Sequence, residues 1–113
     1  MKIHNDFSLV NHNSFGIEAT AEKFISISSA QELEKLIASN SNEEKIFIGG
    51  GSNILITKNI KGLVINLNMK GISSKKIDDT YSEVKINSGE NWNDSVKWCL
   101  KNNLGGIENL SLI

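Results

Sequence analysis

Ile46-Phe47-Ile48-Gly49-Gly50-Gly51-Ser52-Asn53-Ile54-Leu55-Ile56-Thr57 is the stretch from which the rest of the chain can be read. A short apolar run enters three consecutive glycines, and a second apolar run leaves them. Glycine reaches φ > 0 and carries no Cβ, so backbone N–H groups here can converge on an anion such as a pyrophosphate. Ser52 adds a hydroxyl and Asn53 an amide. No Gly-Lys-Ser/Thr follows at Walker spacing, and Ile54 stands where G-x-G-x-x-G requires its third glycine. The run Ile54–Thr57 predicts a strand, so no helix dipole follows the loop and a ligand must be held by backbone and side-chain hydrogen bonds. Spacing alone leaves an ordinary tight connection equally open.

Upstream, Phe24-Ile25-Ser26-Ile27 predicts a strand, and Ser29 with Glu32 stands at capping-box spacing for a helix. Ala30, Leu33, Leu36 and Ile37 share one face of that helix, Glu32, Glu34 and Lys35 turn to water, and Asn40-Ser41-Asn42 ends it. The unit is β-α-β, with parallel strands and the glycine loop at a strand's carboxyl end, where α/β proteins bind ligands. Downstream, Leu63, Ile65, Leu67 and Met69 recur at period two and predict a half-buried strand. Val84 and Ile86 predict another, and Asp78-Asp79-Thr80 a turn between it and a weaker strand over Ile72–Ile77. A second helix begins at Asn91, carries Trp92, Val96, Cys99 and Leu100 on one face, and stops at Gly105-Gly106. The fold class is α+β. A small β-α-β lobe occupies residues 1–69, and a strand-rich lobe with a helix begins at residue 70 and runs to 113.

Charge is balanced in this chain of 113 residues, twelve Lys and Arg against thirteen Asp and Glu, so neither nucleic acid nor an anionic membrane is indicated as partner. One cysteine excludes an internal disulfide, no signal peptide is seen, and no apolar run nears the ~20 residues of a bilayer span. These points indicate a cytoplasmic setting. There is no proline, and the apolar Asn109-Leu110-Ser111-Leu112-Ile113 suggests a chain cut in mid-fold. His4 and His12 have no partner at metal-ligand spacing, so no metal site is expected and both are taken as solvated. Cys99 is expected to be buried and inert, Trp92 to be core and Trp98 more peripheral. Glu18, Glu90 and Glu108 are candidate acid/base groups, with capping or solvated roles favoured, and no catalytic constellation is visible.

Four segments, in order, resemble the UDP-N-acetylenolpyruvoylglucosamine reductase (MurB) family. Asn13-Ser14-Phe15-Gly16 resembles its N-T-F-G opening, with serine for threonine, and Gly49–Asn53 its G-x-G-S-N loop. Gly89-Glu90-Asn91-Trp92 resembles its G-E-N-W turn, and Gly106–Ile113 its G-L-E-N-L-A-L-I segment. The resemblance implies an FAD-binding fold of the PCMH type, as in vanillyl-alcohol oxidase-like flavoproteins, with FAD between the two lobes. It implies that Gly49, Gly50, Gly51, Ser52 and Asn53 hold the FAD pyrophosphate, that Ile54 and Leu55 flank it, and that Ile113 approaches the flavin. Asn13 and Ser14 are weaker candidates. It further implies NADPH as reductant and UDP-N-acetylglucosamine enolpyruvate as substrate, with no partner protein. Its catalytic groups correspond to positions beyond Ile113, so the chain alone is expected to be inactive and to retain FAD poorly. Part of another PCMH-type flavin oxidase and a non-catalytic binding module stand as alternatives. Some such oxidases tether FAD through histidine, and no histidine lies near Gly49–Asn53.

Overall fold

A computed structural model describes residues 2–39 and 42–113. The first sheet contains β1 (His4–Ser8), β2 (Thr20–Ile27), β3 (Lys45–Ile48) and β4 (Ile60–Leu67), in the order β1-β2-β4-β3. β1 is antiparallel to β2, and both β2 and β3 are parallel to β4. Helix α1 (Ala30–Ser39) connects β2 to β3. The two strands of the β-α-β unit are therefore parallel, as expected, but β4 lies between them.

The composition of β4 explains its central place. Leu63, Val64 and Ile65 are all fully buried, so the strand is covered on both faces and is not the half-buried strand that period-two reading suggested. Leu63 and Ile65 pack with Ile25, Ile27 and Leu36 beneath α1. Val64 packs on the opposite face with Phe24, Ile48, Ile56, Leu9 and Ala19. The expected strand over Ile54–Thr57 is absent. That segment joins no sheet; Ile54 and Ile56 insert into the second cluster while Leu55 stays 64% exposed. Its alternation is real, but it covers a sheet face instead of adding an edge.

The first turn of α1 follows its expected chemistry. Ser29 Oγ accepts from the Glu32 amide at 3.2 Å, and the Glu32 carboxylate accepts from the Ser28 amide at 2.9 Å. Its apolar stripe is narrower than expected, because Leu36 is buried and Leu33 half-buried while Ala30 and Ile37 are exposed. Of the expected helix stop, Asn40 and Ser41 lie outside the described residues.

The second sheet is a hairpin of β5 (Ile72–Lys76) and β6 (Ser82–Ile86). Asp78 Oδ1 closes its turn by accepting from the amides of Thr80 and Tyr81 at 2.8 and 2.7 Å. β6 alternates half-buried and exposed residues, as its sequence predicts. Helix α2 (Trp92–Lys101) is capped by Asn91, whose side chain accepts from the Asp94 amide at 3.1 Å. Ser95, Val96 and Cys99 form its buried face. Trp92 is 40% and Leu100 54% exposed, so neither belongs to the expected core, and Trp98 is the more covered tryptophan. The helix ends before Gly105-Gly106. Asn103 takes φ 59°, its amide donates to Leu100 O at 3.1 Å, and the Leu104 amide donates to Cys99 O at 2.8 Å. This is a Schellman end with asparagine in the left-handed position, which asparagine tolerates better than most residues.

Residues 68–71 lead from the first sheet to the second: the Asn68 amide donates to Ile27 O of β2 at 2.8 Å, and residues 69–71 are bonded to residues 87–90 behind β6. The Gly89 amide donates to Met69 O at 2.8 Å, Asn87 Nδ2 to Lys70 O at 2.7 Å, and the Gly71 amide to Glu90 Oε1 at 2.7 Å. Lys70 Nζ donates to Gly89 O. A Cβ on Gly89 would lie 2.5 Å from Asn68 C, so only glycine permits this approach. Among the described residues no helix is long and apolar enough to cross a membrane.

Candidate functional site

The parallel strands β3 and β4 release the chain at the same end of the sheet, and Asn66 sits there, opposite Ile48. Its Nδ2 donates to Gly49 O at 2.9 Å, and its Oδ1 accepts from Ser26 Oγ at 3.0 Å. The first glycine is thus tied to the carboxyl ends of the two central strands. Because a trans peptide holds C=O and N–H on opposite sides, anchoring the Gly49 carbonyl on Asn66 turns the Gly50 amide away from the sheet. The amides of Gly50, Gly51, Ser52 and Asn53 make no hydrogen bond among the described residues.

These amides border a cleft of about 510 Å³ between the two sheets. Gly49–Ile54 form one wall, Asn66–Asn68 and Lys70 the floor, Ser88–Trp92 the opposite wall, and Leu110 and Ile113 also line it. Gly49 lies near the second wall, since a Cβ there would meet Ser88 O at 3.5 Å. Asn91 and Trp92 bring the first turn of α2 to the same cleft. The loop is not followed by a helix, as its sequence indicates, yet a helix N-terminus reaches the site from elsewhere in the chain.

The lining is rich in hydrogen-bond donors and poor in acid/base chemistry. Its charged groups are Lys70 and Glu90, and both are engaged in bonds between residues 70–71 and residues 89–90. Glu18 accepts from Ser8 Oγ at 2.7 Å. Glu108 accepts from the Gly106 amide at 2.9 Å, and its own amide together with that of Gly106 holds its carboxyl below the usual carboxylate range. The three glutamates accept from separate segments, Ser8, Gly71 and Gly106, and do not converge. Such a cleft can bind and orient an elongated, anionic ligand.

The expected site residues Gly49, Gly50, Gly51, Ser52, Asn53, Ile54 and Ile113 come together around the cleft. Leu55 does not. It lines an apolar groove of about 280 Å³ beside Ile46 and Phe47, which Ile54 also borders. Asn13 and Ser14 are also absent from the lining; Asn13 is buried behind the loop. His12 is not solvated as expected but packs its ring 4.8 Å from Phe24 and 5.5 Å from Phe7. Cys99 is buried, as expected. Sequence reading missed Asn66, Asn68, Lys70 and Ser88 as lining residues. One signal was available: Asn66 follows Val64 on a core-facing row of β4, where an apolar residue would continue the pattern.

Residues 21–113 match the FAD binding domain family. The chain belongs to that family. A pyrophosphate fits the loop, which offers four amides without a partner among the described residues and no side chain on its three glycines. The chain is 49% identical over 113 residues to a UDP-N-acetylenolpyruvoylglucosamine reductase of Flavobacterium johnsoniae, covering all of this chain and 34% of that relative. Proteins of the same name from Amoebophilus asiaticus and Bacteroides fragilis are each 37% identical, over 100% and 95% of this chain and 34% and 32% of their own length. The chain spans about a third of the curated relatives it matches and corresponds to their N-terminal part.

Proposed function

We propose that this chain is the FAD-binding portion of a UDP-N-acetylenolpyruvoylglucosamine reductase of PCMH-type architecture. FAD lies between the lobes 1–69 and 70–113, with its pyrophosphate on Gly49–Asn53. The observation that carries this reading is the set of Gly50–Asn53 amides, without a partner among the described residues, at the carboxyl ends of two parallel strands, in a chain of the FAD binding domain family. Ile54 flanks the pyrophosphate and Ile113 approaches the flavin, while Leu55 lies outside the cleft lining. In the complete enzyme FAD held on these residues would supply the hydride chemistry by which NADPH reduces the enolpyruvyl group of UDP-N-acetylglucosamine enolpyruvate, a step of peptidoglycan precursor synthesis in the cytoplasm.

The 113-residue chain supplies binding and orientation and does not turn over substrate alone. Two observations support this. Lys70 and Glu90, the charged groups of the cleft, are committed to structural bonds. The surface also exceeds that of a self-sufficient domain: 7726 Å² is exposed, where a compact protein of this mass exposes about 6,100 Å². Titration with FAD, followed by flavin fluorescence quenching, is expected to saturate weakly, and flavin is expected to separate during gel filtration. An unsaturable titration would favour a scaffold role, and turnover of the UDP-sugar with NADPH by this chain would refute the division of labour.

A further inference from the structure

We propose that Asn13 is a positioning residue for the glycine loop, aiming the Ser52 amide into the cleft without touching the ligand. The inference rests on the reading that this loop holds a pyrophosphate. Asn13 is 7% exposed and fully engaged: Nδ2 donates to Leu9 O at 2.8 Å and Ile17 O at 3.1 Å, and Oδ1 accepts from the Ile17 amide at 3.0 Å. These bonds close residues 9–17 into a rigid turn. Its root is the core, since Leu9 is fully buried and donates its amide to Ala19 O at 2.8 Å.

The back of Gly51 lies directly on this turn. A Cβ on Gly51 would sit 2.0 Å from His12 O and 2.9 Å from Asn13 Cα, and Gly51 takes φ 75°. The Ser14 amide donates to Gly51 O at 3.0 Å. That bond fixes the peptide plane between Gly51 and Ser52. With the carbonyl held toward Ser14, the trans N–H of Ser52 must point the opposite way, toward the cleft. Without the turn, the plane is free to rotate, and the ordering entropy falls on ligand binding instead. Asn13 therefore acts on affinity through Ser14 and Gly51.

The test uses the 113-residue chain, with FAD and riboflavin as probes, because riboflavin carries no phosphate. Asn13→Ala is expected to weaken FAD about tenfold, the loss of roughly one hydrogen bond's contribution, while riboflavin affinity stays within about twofold. A general loss of folding would lower both together, and that result, or an unchanged FAD affinity, overturns the proposal. Amide exchange on the unaltered chain provides the second readout. The Ser14 amide is expected to be protected like that of Leu9, and Asn13→Ala to release Ser14 but not Ile25 of β2. An unprotected Ser14 amide in the unaltered chain overturns the brace even if Asn13→Ala cannot fold. Binding of neither probe by the unaltered chain would instead defeat the cofactor reading, and the exchange result would still decide the brace.

Discussion

Gly49 and Gly51 look alike in the sequence and differ in what the fold demands of them. Gly51 combines φ 75° with backbone at 2.0 Å from its absent Cβ, whereas a Cβ on Gly49 meets nothing nearer than Ser88 O at 3.5 Å. Gly51→Ala is expected to lower unfolding free energy by about 2–3 kcal/mol in denaturant titrations, from backbone strain plus displacement of the His12–Asn13 turn. Gly49→Ala is expected to change it by under about 1 kcal/mol, so equal effects would contradict this division. The run of glycine made the loop legible. Which glycine is indispensable was not legible, because the reason lies in residues 12–14, nearly forty positions upstream.

At the scale of elements, helix starts were the most legible feature and helix faces the least. Capping is local chemistry: Ser29 with Glu32, and Asn91 with Asp94, satisfy amides three residues away. Ser29→Ala and Asn91→Ala are each expected to cost about 1 kcal/mol in denaturant melts, without changing the native far-ultraviolet dichroism. Glu32 gives this a pH signature. Hydrogen bonding from the Ser28 amide holds its carboxyl below the ordinary value of 4.5, so its contribution is present above that value and is lost as pH falls through the lower folded-state pKa. The stability gap between the unaltered chain and Glu32→Gln is therefore expected to be constant near neutrality and to close below pH 4.5. A gap that persists in strong acid would count against the cap. Helix faces failed at Ile37, Trp92 and Leu100, since a 3.6-residue period identifies an apolar stripe but not whether anything lies beneath each turn.

At the scale of the whole molecule, the chain is elongated. Its radius of gyration is 16.4 Å, against about 13 Å for a compact domain of this length. One wall of the cleft, Ser88–Trp92, is tied to the connection between β4 and β5, and Glu90 makes one of these ties through the Gly71 amide. Glu90→Ala is expected to raise the radius of gyration in X-ray scattering and to weaken FAD binding severalfold, while Glu90→Gln, which keeps an acceptor oxygen, stays close to the unaltered chain. A compact Glu90→Ala chain with full affinity would show that the junction does not need this bond. The local content of the molecule was determined by sequence alone: the β-α-β order, the hairpin turn at Asp78, the α2 cap and a loop able to offer bare amides. Each rests on interactions within a few residues. Only the tertiary structure decided that β4 enters between β2 and β3, that Ile54–Thr57 covers a face instead of forming a strand, and that Asn13, Asn66 and Glu90 meet the loop and the cleft from afar. Those outcomes depend on which apolar surfaces bury each other and which carbonyls remain to be satisfied, and neither is written in spacing along the chain.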